Sequence, residues 1–405
     1  MADRTFPAAD LGGLVRAIQR RGFAVLGPTM RDDTVTYGPL TSVDDLPRGR
    51  GDEQGPAHYR STVREDAAFF AYAAPVQSAK SVFFPADELL WRSRQGRAGH
   101  ESQGPVIETV LPEGEARGPL ALFGIRSCDL AAIAQHDHIL TQRFATDVHY
   151  AARRRDTLVV AVACSHPSGT CFCASVGTGP APTEGYDLAL TEVIDEDGHR
   201  FVATVGTDRG AKLLDEIGAV DATPGDVTAA ERVVATAVAS MGRQLETDDL
   251  VGLLYGAAES THWDEVASRC LACSNCTLVC PTCFCTTVTD VSDLTGELAE
   301  RHRVWASCFT QDYSYLHGGS VRTSTKSRYR QWLTHKLAAW QAQFGSVGCV
   351  GCGRCITWCP AGIDLTEEVA ALRGDSPRDS STPTRTPTSI PARIAARIAT
   401  SEGTS

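Results

Sequence analysis

Two cysteine runs with identical spacing carry the most specific chemistry in this sequence. The first run is Cys270, Cys273, Cys276 and Cys280, followed by Pro281, and the second is Cys349, Cys352, Cys355 and Cys359, followed by Pro360. Both have the spacing C-x2-C-x2-C-x3-C-P, which is typical of bacterial loops that hold a [4Fe–4S] cluster. Because iron in such a cluster prefers a soft thiolate ligand, the runs predict two [4Fe–4S] clusters.

The fourth cysteine of each run is expected to bind the cluster of the other run, as it does in two-cluster ferredoxins. The predicted ligands of cluster 1 are therefore Cys270, Cys273, Cys276 and Cys359, and those of cluster 2 are Cys349, Cys352, Cys355 and Cys280. The alternative metal is zinc, but structural zinc sites combine separated C-x2-C pairs, often with histidine. A doubled run followed by proline is more specific to an iron–sulfur cluster.

Four cysteines outside the runs predict a third site. Cys164, Cys171 and Cys173 are close in sequence, and Cys128 lies upstream of them. Cys128 and Cys164 each follow an apolar stretch, 120–125 and 158–163, that reads as a buried strand. Ligands of open α/β sheets bind at the carboxyl ends of the strands, so we predict a third iron–sulfur cluster on these four cysteines. The alternative is that the thiols pack as small apolar groups.

Three further cysteines lie downstream: Cys283 and Cys285 form a C-x-C pair directly after the first run, and Cys308 follows in WASCF. A further cluster, a redox disulfide and simple packing all remain open for them, and packing or tuning of a nearby cluster is favoured. A helix is expected after the strand at 120–125, with Ser127 or Asp129 as its N-terminal cap. His136 and His138 on this helix are expected to be solvated.

The elements that position these residues predict an α+β protein. Residues 1–207 read as an α/β domain with the possible extra iron–sulfur site, in which 47–56 is a loop by composition, and 208–262 as a helical connector. Residues 263–370 read as an α-helical ferredoxin-type domain with two [4Fe–4S] clusters, because the long link between the runs is expected to be filled by helices. The Ser-, Thr- and Pro-rich segment 371–405 is predicted to be a disordered tail.

Composition excludes several classes of function. The formal net charge of −11 argues against a nucleic-acid partner, which would need a basic face. The sequence shows no secretory signal and no apolar stretch near the ~20 residues that a membrane helix needs, so we expect a cytoplasmic protein without a membrane partner. A reducing cytoplasm favours metal binding over disulfides for so many cysteines. We find neither a dinucleotide fingerprint nor a nucleophile arrangement, so no catalytic residues are predicted.

Six segments together resemble a known family. They are FGIRSCDLAAI (123–133), CFCASVGTGP (171–180), GYDLALTE (185–192), CPTCFC (280–285), HGGSVR (317–322) and CVGCGRCITWCP (349–360). The chain resembles the iron–sulfur β subunit of cytosolic NAD(P)-linked [NiFe] hydrogenases, also called sulfhydrogenases, over about residues 1–370. The A subunit of anaerobic sulfite reductase is similar but more distant.

The resemblance implies a heteromeric complex in which this chain is a non-catalytic electron-transfer subunit. It would relay single electrons between an NAD(P)H-oxidising flavoprotein subunit, which binds FAD, and the small and large subunits of a [NiFe] hydrogenase core. The run cysteines match the family's cluster ligands. Two alternatives stay open at this point: an electron-transfer subunit of an anaerobic sulfite or sulfur reductase, and a redox-sensing iron–sulfur module.

Overall fold

The computed structural model describes residues 3–94, 106–109, 118–143 and 145–375. It has the mixed α and β content that the sequence predicts. The strands, numbered in chain order, are β1 (Arg4–Pro7), β2 (Ala24–Arg31), β3 (Thr34–Pro39), β4 (Arg50–Gly55), β5 (His58–Val63), β6 (Asp87–Arg94), β7 (Val106–Thr109), β8 (Leu120–Arg126), β9 (Leu158–Val162), β10 (Leu188–Asp195), β11 (Gly198–Val205), β12 (Val220–Asp221), β13 (Thr286–Ser292), β14 (Leu298–Trp305), β15 (Tyr315–Leu316) and β16 (Gly319–Ser320).

The helices are distributed along the whole described chain. They are α1 (Leu11–Arg20), α2 (Lys80–Phe83), α3 (Ser127–Thr141), α4 (Val148–Arg155), α5 (Asp208–Glu216), α6 (Pro224–Ala239), α7 (Leu250–Gly256), α8 (His262–Arg269), α9 (Asn275–Leu278), α10 (Thr325–Thr334), α11 (Trp340–Phe344), α12 (Arg354–Thr357) and α13 (Leu365–Asp375). A π-helical turn, His335–Ala339, joins α10 to α11, and 3-10 turns lie at Ala8–Asp10, Val43–Asp45 and Asp312–Ser314.

A mixed eight-stranded sheet has the strand order β12-β1-β11-β10-β9-β8-β2-β3. Its central strands β2, β8, β9 and β10 run parallel, and antiparallel strands complete both edges. The middle strands are buried on both faces, which explains why the stretches around β8 and β9 are continuously apolar in sequence. Helix α1 covers one face with Leu11, Leu14, Val15 and Ile18, all fully buried.

The link between the two cysteine runs is not wholly helical, as the sequence had suggested. Its first part folds into the antiparallel hairpin of β13 and β14, which joins β6 and β7 in a sheet of order β13-β14-β6-β7. The β-branched residues of 286–292 favour this extended conformation. The second part is helical from Thr325 to Phe344 and ends at Gly345, whose φ of 75° only glycine adopts easily.

Two other local predictions were wrong. Within 47–56, expected to be a loop, Arg50–Gly55 forms β4 and pairs with β5, because cross-strand partners outweigh the turn-rich composition. Neither Ser127 nor Asp129 caps α3: the N-cap is Arg126, Ser127 Oγ donates to the carbonyl oxygens of Thr178 and Ala181, and Asp129 contacts Arg354.

The segment predicted as a tail lies outside the described residues from position 376 onward, while 371–375 complete α13. Among the described helices, none combines the length and the apolar character needed to cross a bilayer.

Candidate metal centres

The cysteines assigned to cluster 1 face one cavity. Cys270, Cys273, Cys276 and Cys359 line a space of about 430 Å³ beside Cys355. Positive φ angles of 50° at Ala272 and 69° at Ser274 curl the loop tightly around this space. Backbone N–H groups of Ala272 and Ile363 point at the sulfurs of Cys270 and Cys359, each at 3.4 Å. Donors in this position favour thiolates, the form that binds iron.

The cysteines assigned to cluster 2 are also neighbours. Burial is the largest cause that raises the pKa of Cys349, Cys352 and Cys355, and the negative charge of Cys280 raises each of them further. The pKa of Cys349 reaches about 11. The Gly351 N–H lies 3.5 Å from the Cys349 sulfur. Thr282 Oγ1 and Lys336 Nζ each contact both the Cys280 sulfur and the Gly348 carbonyl oxygen, so Cys280 lies beside the second run, while Cys359 lines the cavity of the first.

The two groups share a wall, because Cys355 of the second group also borders the cavity of the first. Among the described residues, no three Cys, His, Asp or Glu side chains converge on a single ion position. A cubane does not require such convergence, since each thiolate binds a different iron. Four thiols around one cavity, with a second group of cysteines beside it, therefore fit clusters better than they fit a zinc ion.

The third predicted group lies at the carboxyl edge of the large sheet. Strands β8 and β9 are parallel neighbours, and Cys128 and Cys164 follow them directly. Cys164 is among the causes that raise the pKa of Cys128, Cys171 and Cys173, where burial is the largest cause. Cys164 thus lies near the other three cysteines of the group, of which Cys128 is in the first turn of α3 and Cys171 and Cys173 are in the loop after β9.

This third group abuts the cluster 2 loop. The Cys171 sulfur lies 3.7 Å from the Cys352 carbonyl oxygen, and the Phe172 N–H donates to the Gly351 carbonyl oxygen at 2.8 Å. A Cβ on Gly351 would lie 2.6 Å from the Cys173 Cα, and the φ of Gly351 is +61°. Only glycine at this position permits the two loops to approach so closely.

Three buried cations lie among the cysteines, and no sequence pattern indicates them. Lys336 Nζ lies 3.2 Å from the Cys280 sulfur and 2.9 Å from the Gly348 carbonyl oxygen. Lys80 Nζ donates to the Cys283 carbonyl oxygen at 3.2 Å and lies 3.7 Å from the centre of the Trp305 ring. Arg126 lowers the pKa of Cys164, against a larger upward effect of burial. Positive charges here would stabilise anionic clusters.

These cations shift the electrostatics of cluster 2 in particular. A hydrogen bond from the Cys283 thiol, together with the Lys336 ammonium group, holds the pKa of Cys280 well below its usual range. Lys336 comes from the π-helical turn, so its side chain reaches inward where α10 changes its winding. A lysine inside a helical segment, with apolar neighbours in sequence, gives no indication that it will contact a cluster ligand.

His136 is buried rather than solvated, which corrects the sequence prediction. It is 2% exposed, and the rings of Phe84 and Phe284 lie 6.2 and 6.3 Å from it. Burial and then the Lys80 charge lower the pKa of His136 to about 4. The histidine is therefore neutral at physiological pH, and its Nε2 has no described hydrogen-bond partner. His138 is exposed, as the sequence predicts, and its ring lies 6.1 Å from the Phe344 ring.

The remaining cysteines, Cys283, Cys285 and Cys308, line a second cavity of about 490 Å³. The sequence had favoured a packing or tuning role for them. Their side chains are partly buried, and Cys308 packs against the apolar core of the helical half.

Comparisons with known proteins agree with this arrangement. Residues 269–363 match a family model described as a 4Fe-4S dicluster domain. The sulfhydrogenase 2 subunit beta of Pyrococcus furiosus is 29% identical over 323 residues, which cover 79% of this chain and 91% of that protein. No solved structure matches the chain. The resemblance seen in the sequence is thereby confirmed: the chain is a homologue of a sulfhydrogenase β subunit and carries a C-terminal 4Fe-4S dicluster domain.

Proposed function

We propose that this protein is the electron-transfer subunit of an NAD(P)-linked [NiFe] hydrogenase in the cytoplasm. It relays single electrons through [4Fe–4S] clusters between an FAD-containing flavoprotein subunit that oxidises NAD(P)H and the small and large subunits that carry the [NiFe] site. Similarity to a sulfhydrogenase β subunit supports an assembly with other subunits, and the dicluster domain supports iron–sulfur cofactors.

The observation that supports the proposal is that Cys359 of the second run lines the cavity of the first-run cysteines. Cys359 lies with the first run and Cys280 with the second, so the two groups are adjacent and share Cys355 as a wall. Adjacent clusters favour electron transfer, because an electron then crosses only a short stretch of protein between one cluster and the next. We assign Cys270, Cys273, Cys276 and Cys359 to cluster 1 and Cys349, Cys352, Cys355 and Cys280 to cluster 2.

The third group extends this row, and we propose that Cys128, Cys164, Cys171 and Cys173 hold another [4Fe–4S] cluster. Its contact with the Cys352 carbonyl oxygen makes cluster 2 the middle member. At the other end, Cys273 is exposed and Leu271 beside it is 67% exposed. Cluster 1 would therefore exchange electrons with a partner subunit at this surface. We propose that the row of clusters is carried by three structural units: the α/β domain 1–207, the helical connector 208–262 and the ferredoxin-type domain 263–370.

The test is anaerobic purification of the chain with its native partners, followed by reduction with NADPH or with hydrogen. We expect both reductants to give the electron paramagnetic resonance (EPR) signals of reduced [4Fe–4S] clusters in this subunit. Clusters that stay oxidised with both reductants, in a complex whose other subunits are reduced, would refute the relay.

The same purification separates the alternatives. Recovery of a siroheme protein in place of a nickel–iron subunit would indicate a sulfite reductase. Full hydrogen-dependent NADP reduction by a complex with Cys352→Ser would indicate a sensing module, because a relay cannot lose its middle cluster without losing flux.

A further inference from the structure

The β13–β14 hairpin brings Cys285 and Cys308 together although they are distant in sequence. Thr286 and Trp305 are the pair at the base of the hairpin, and the Ala306 N–H donates to the Cys285 carbonyl oxygen at 2.9 Å. Cys285 and Cys308 thus leave the hairpin on the same side. Ser307, next to Cys308, is buried and accepts a hydrogen bond of 2.8 Å from Thr277 of α9. This contact holds Cys308 against the cluster 1 loop.

Cys283 completes a trio of thiols around one space. Cys283, Cys285 and Cys308 all line one cavity, as Cys270, Cys273 and Cys276 line the cavity of cluster 1. The opposite wall includes Gln331, His335 and Lys336 from the helical half. The cavity is therefore built from three separate segments that only the folded chain brings together.

Charge points to an anion in this space. Lys336, which lines this cavity, is 5% exposed and forms no ion pair with a carboxylate among the described residues. Lys336 Nζ lies 3.9 Å from the Cys283 sulfur, and Lys80 Nζ donates to the Cys283 carbonyl oxygen. Unpaired buried ammonium groups are costly. Cluster 2 would neutralise part of this charge through Cys280, and a second anion beside Cys283 would neutralise more.

We propose that Cys283, Cys285 and Cys308 bind an additional iron–sulfur cluster. Three thiolates suffice for three irons, and the imidazole of His335 in the same cavity is available to a fourth. The cluster would border both dicluster groups, because Lys336 Nζ contacts the sulfurs of Cys280 and Cys283, and Thr277, next to Cys276, lines the same cavity. This binding site does not depend on the partners or on the direction of electron flow.

The first test is iron analysis of the full chain after anaerobic reconstitution, with the double variant Cys285→Ser and Cys308→Ser. We expect a loss of about three or four irons relative to the unmodified chain, the content of one cluster. The EPR signals of clusters 1 and 2 should persist. The matched control is Tyr313→Phe, which removes the hydroxyl group 3.6 Å from the Cys285 sulfur but no thiol; its iron content should stay unchanged. An unchanged iron content in the double variant would overturn the proposal.

A second measurement uses the unmodified chain, so it tests the site even if the double variant does not fold. Anaerobic alkylation with iodoacetamide, mapped by mass spectrometry, should leave Cys285 and Cys308 unmodified in the reconstituted chain and label both after iron chelation. Equal labelling of both residues before and after chelation would refute the site. Because alkylation reports on individual thiols, a negative result at Cys285 and Cys308 would reject this additional cluster without rejecting the dicluster relay. Failure of the relay would likewise leave this binding site unaffected.

Discussion

Asp129 and Arg354 form an ion pair closed to solvent, with two guanidinium N–H groups 2.7 and 2.9 Å from the two carboxylate oxygens. Both side chains are at most 1% exposed. Asp129 follows Cys128 of the third group, and Arg354 lies between Cys352 and Cys355 of the second run. The pair therefore connects the sheet edge to the dicluster domain at the point where two proposed clusters are nearest.

Breaking this pair is expected to destabilise the protein strongly. Arg354→Met leaves the Asp129 carboxylate buried without its partner, which typically costs about 3–5 kcal/mol. The double variant Asp129→Leu with Arg354→Met should be less destabilised than Arg354→Met alone, because it removes both charges. Anaerobic denaturant unfolding, followed by far-ultraviolet circular dichroism, measures both. A double variant less stable than either single variant would contradict the buried-charge explanation.

Exchange of the fourth cysteines predicts a crossed pattern of cluster loss. Cys359→Ser should remove the same EPR signal as Cys273→Ser, and Cys280→Ser the same signal as Cys352→Ser, with about four irons lost in each case. If Cys359→Ser instead removes the signal lost in Cys352→Ser, each run holds its own cluster and the assignment is wrong.

The third group can be tested without affecting the runs. Cys171→Ser is expected to lower the iron content by about four while the signals of clusters 1 and 2 persist. Ser168→Ala is the control, because it removes the hydroxyl group 3.1 Å from the Cys171 sulfur and leaves the thiol in place. Iron content equal to that of the unmodified chain in Cys171→Ser would show that this group only packs.

Lys336 is expected to raise the reduction potential of cluster 2. Lys336→Met removes a positive charge 3.2 Å from the Cys280 sulfur, so the more negative, reduced cluster loses stabilisation. A charged hydrogen bond of about 1.5–3 kcal/mol corresponds to a decrease of roughly 60–130 mV for one electron. Lys326→Met, which removes a surface lysine of the same helix paired with Asp264, should leave the potential unchanged. A redox titration monitored by EPR gives both values, and equal potentials would exclude the effect.

Burial of neutral His136 predicts acid sensitivity. Its pKa of about 4 lies below the usual 6.5, so the unfolded chain binds the proton more readily, and stability falls as pH decreases from 6.5 towards 4. At pH 5 the loss from this group is about 2 kcal/mol. His136→Leu should lose less stability than the unmodified chain between pH 7 and pH 5, measured by denaturant midpoints. His138→Leu, on the same helix, is the control. An unchanged pH dependence in His136→Leu would show that other groups cause the loss of stability at low pH.

The sequence alone determined the features that depend on short stretches of chain. A ligand loop such as Cys270 to Cys276 wraps one cluster with local spacing, so the type of cofactor is readable from the residues. Buried parallel strands such as β8 and β9 are apolar throughout, so the sheet edge that carries Cys128 and Cys164 could be predicted as well. The same local signals identified the α+β class.

Only the tertiary structure decided which distant residues meet. Lys336 and Cys280 are 56 positions apart, and Asp129 and Arg354 are 225 apart. Cys285 and Cys308 became neighbours because a hairpin formed where helices were expected, and His136 became buried because Phe284 covers it. No local spacing encodes such contacts, since they arise when separate elements pack to remove apolar surface from water.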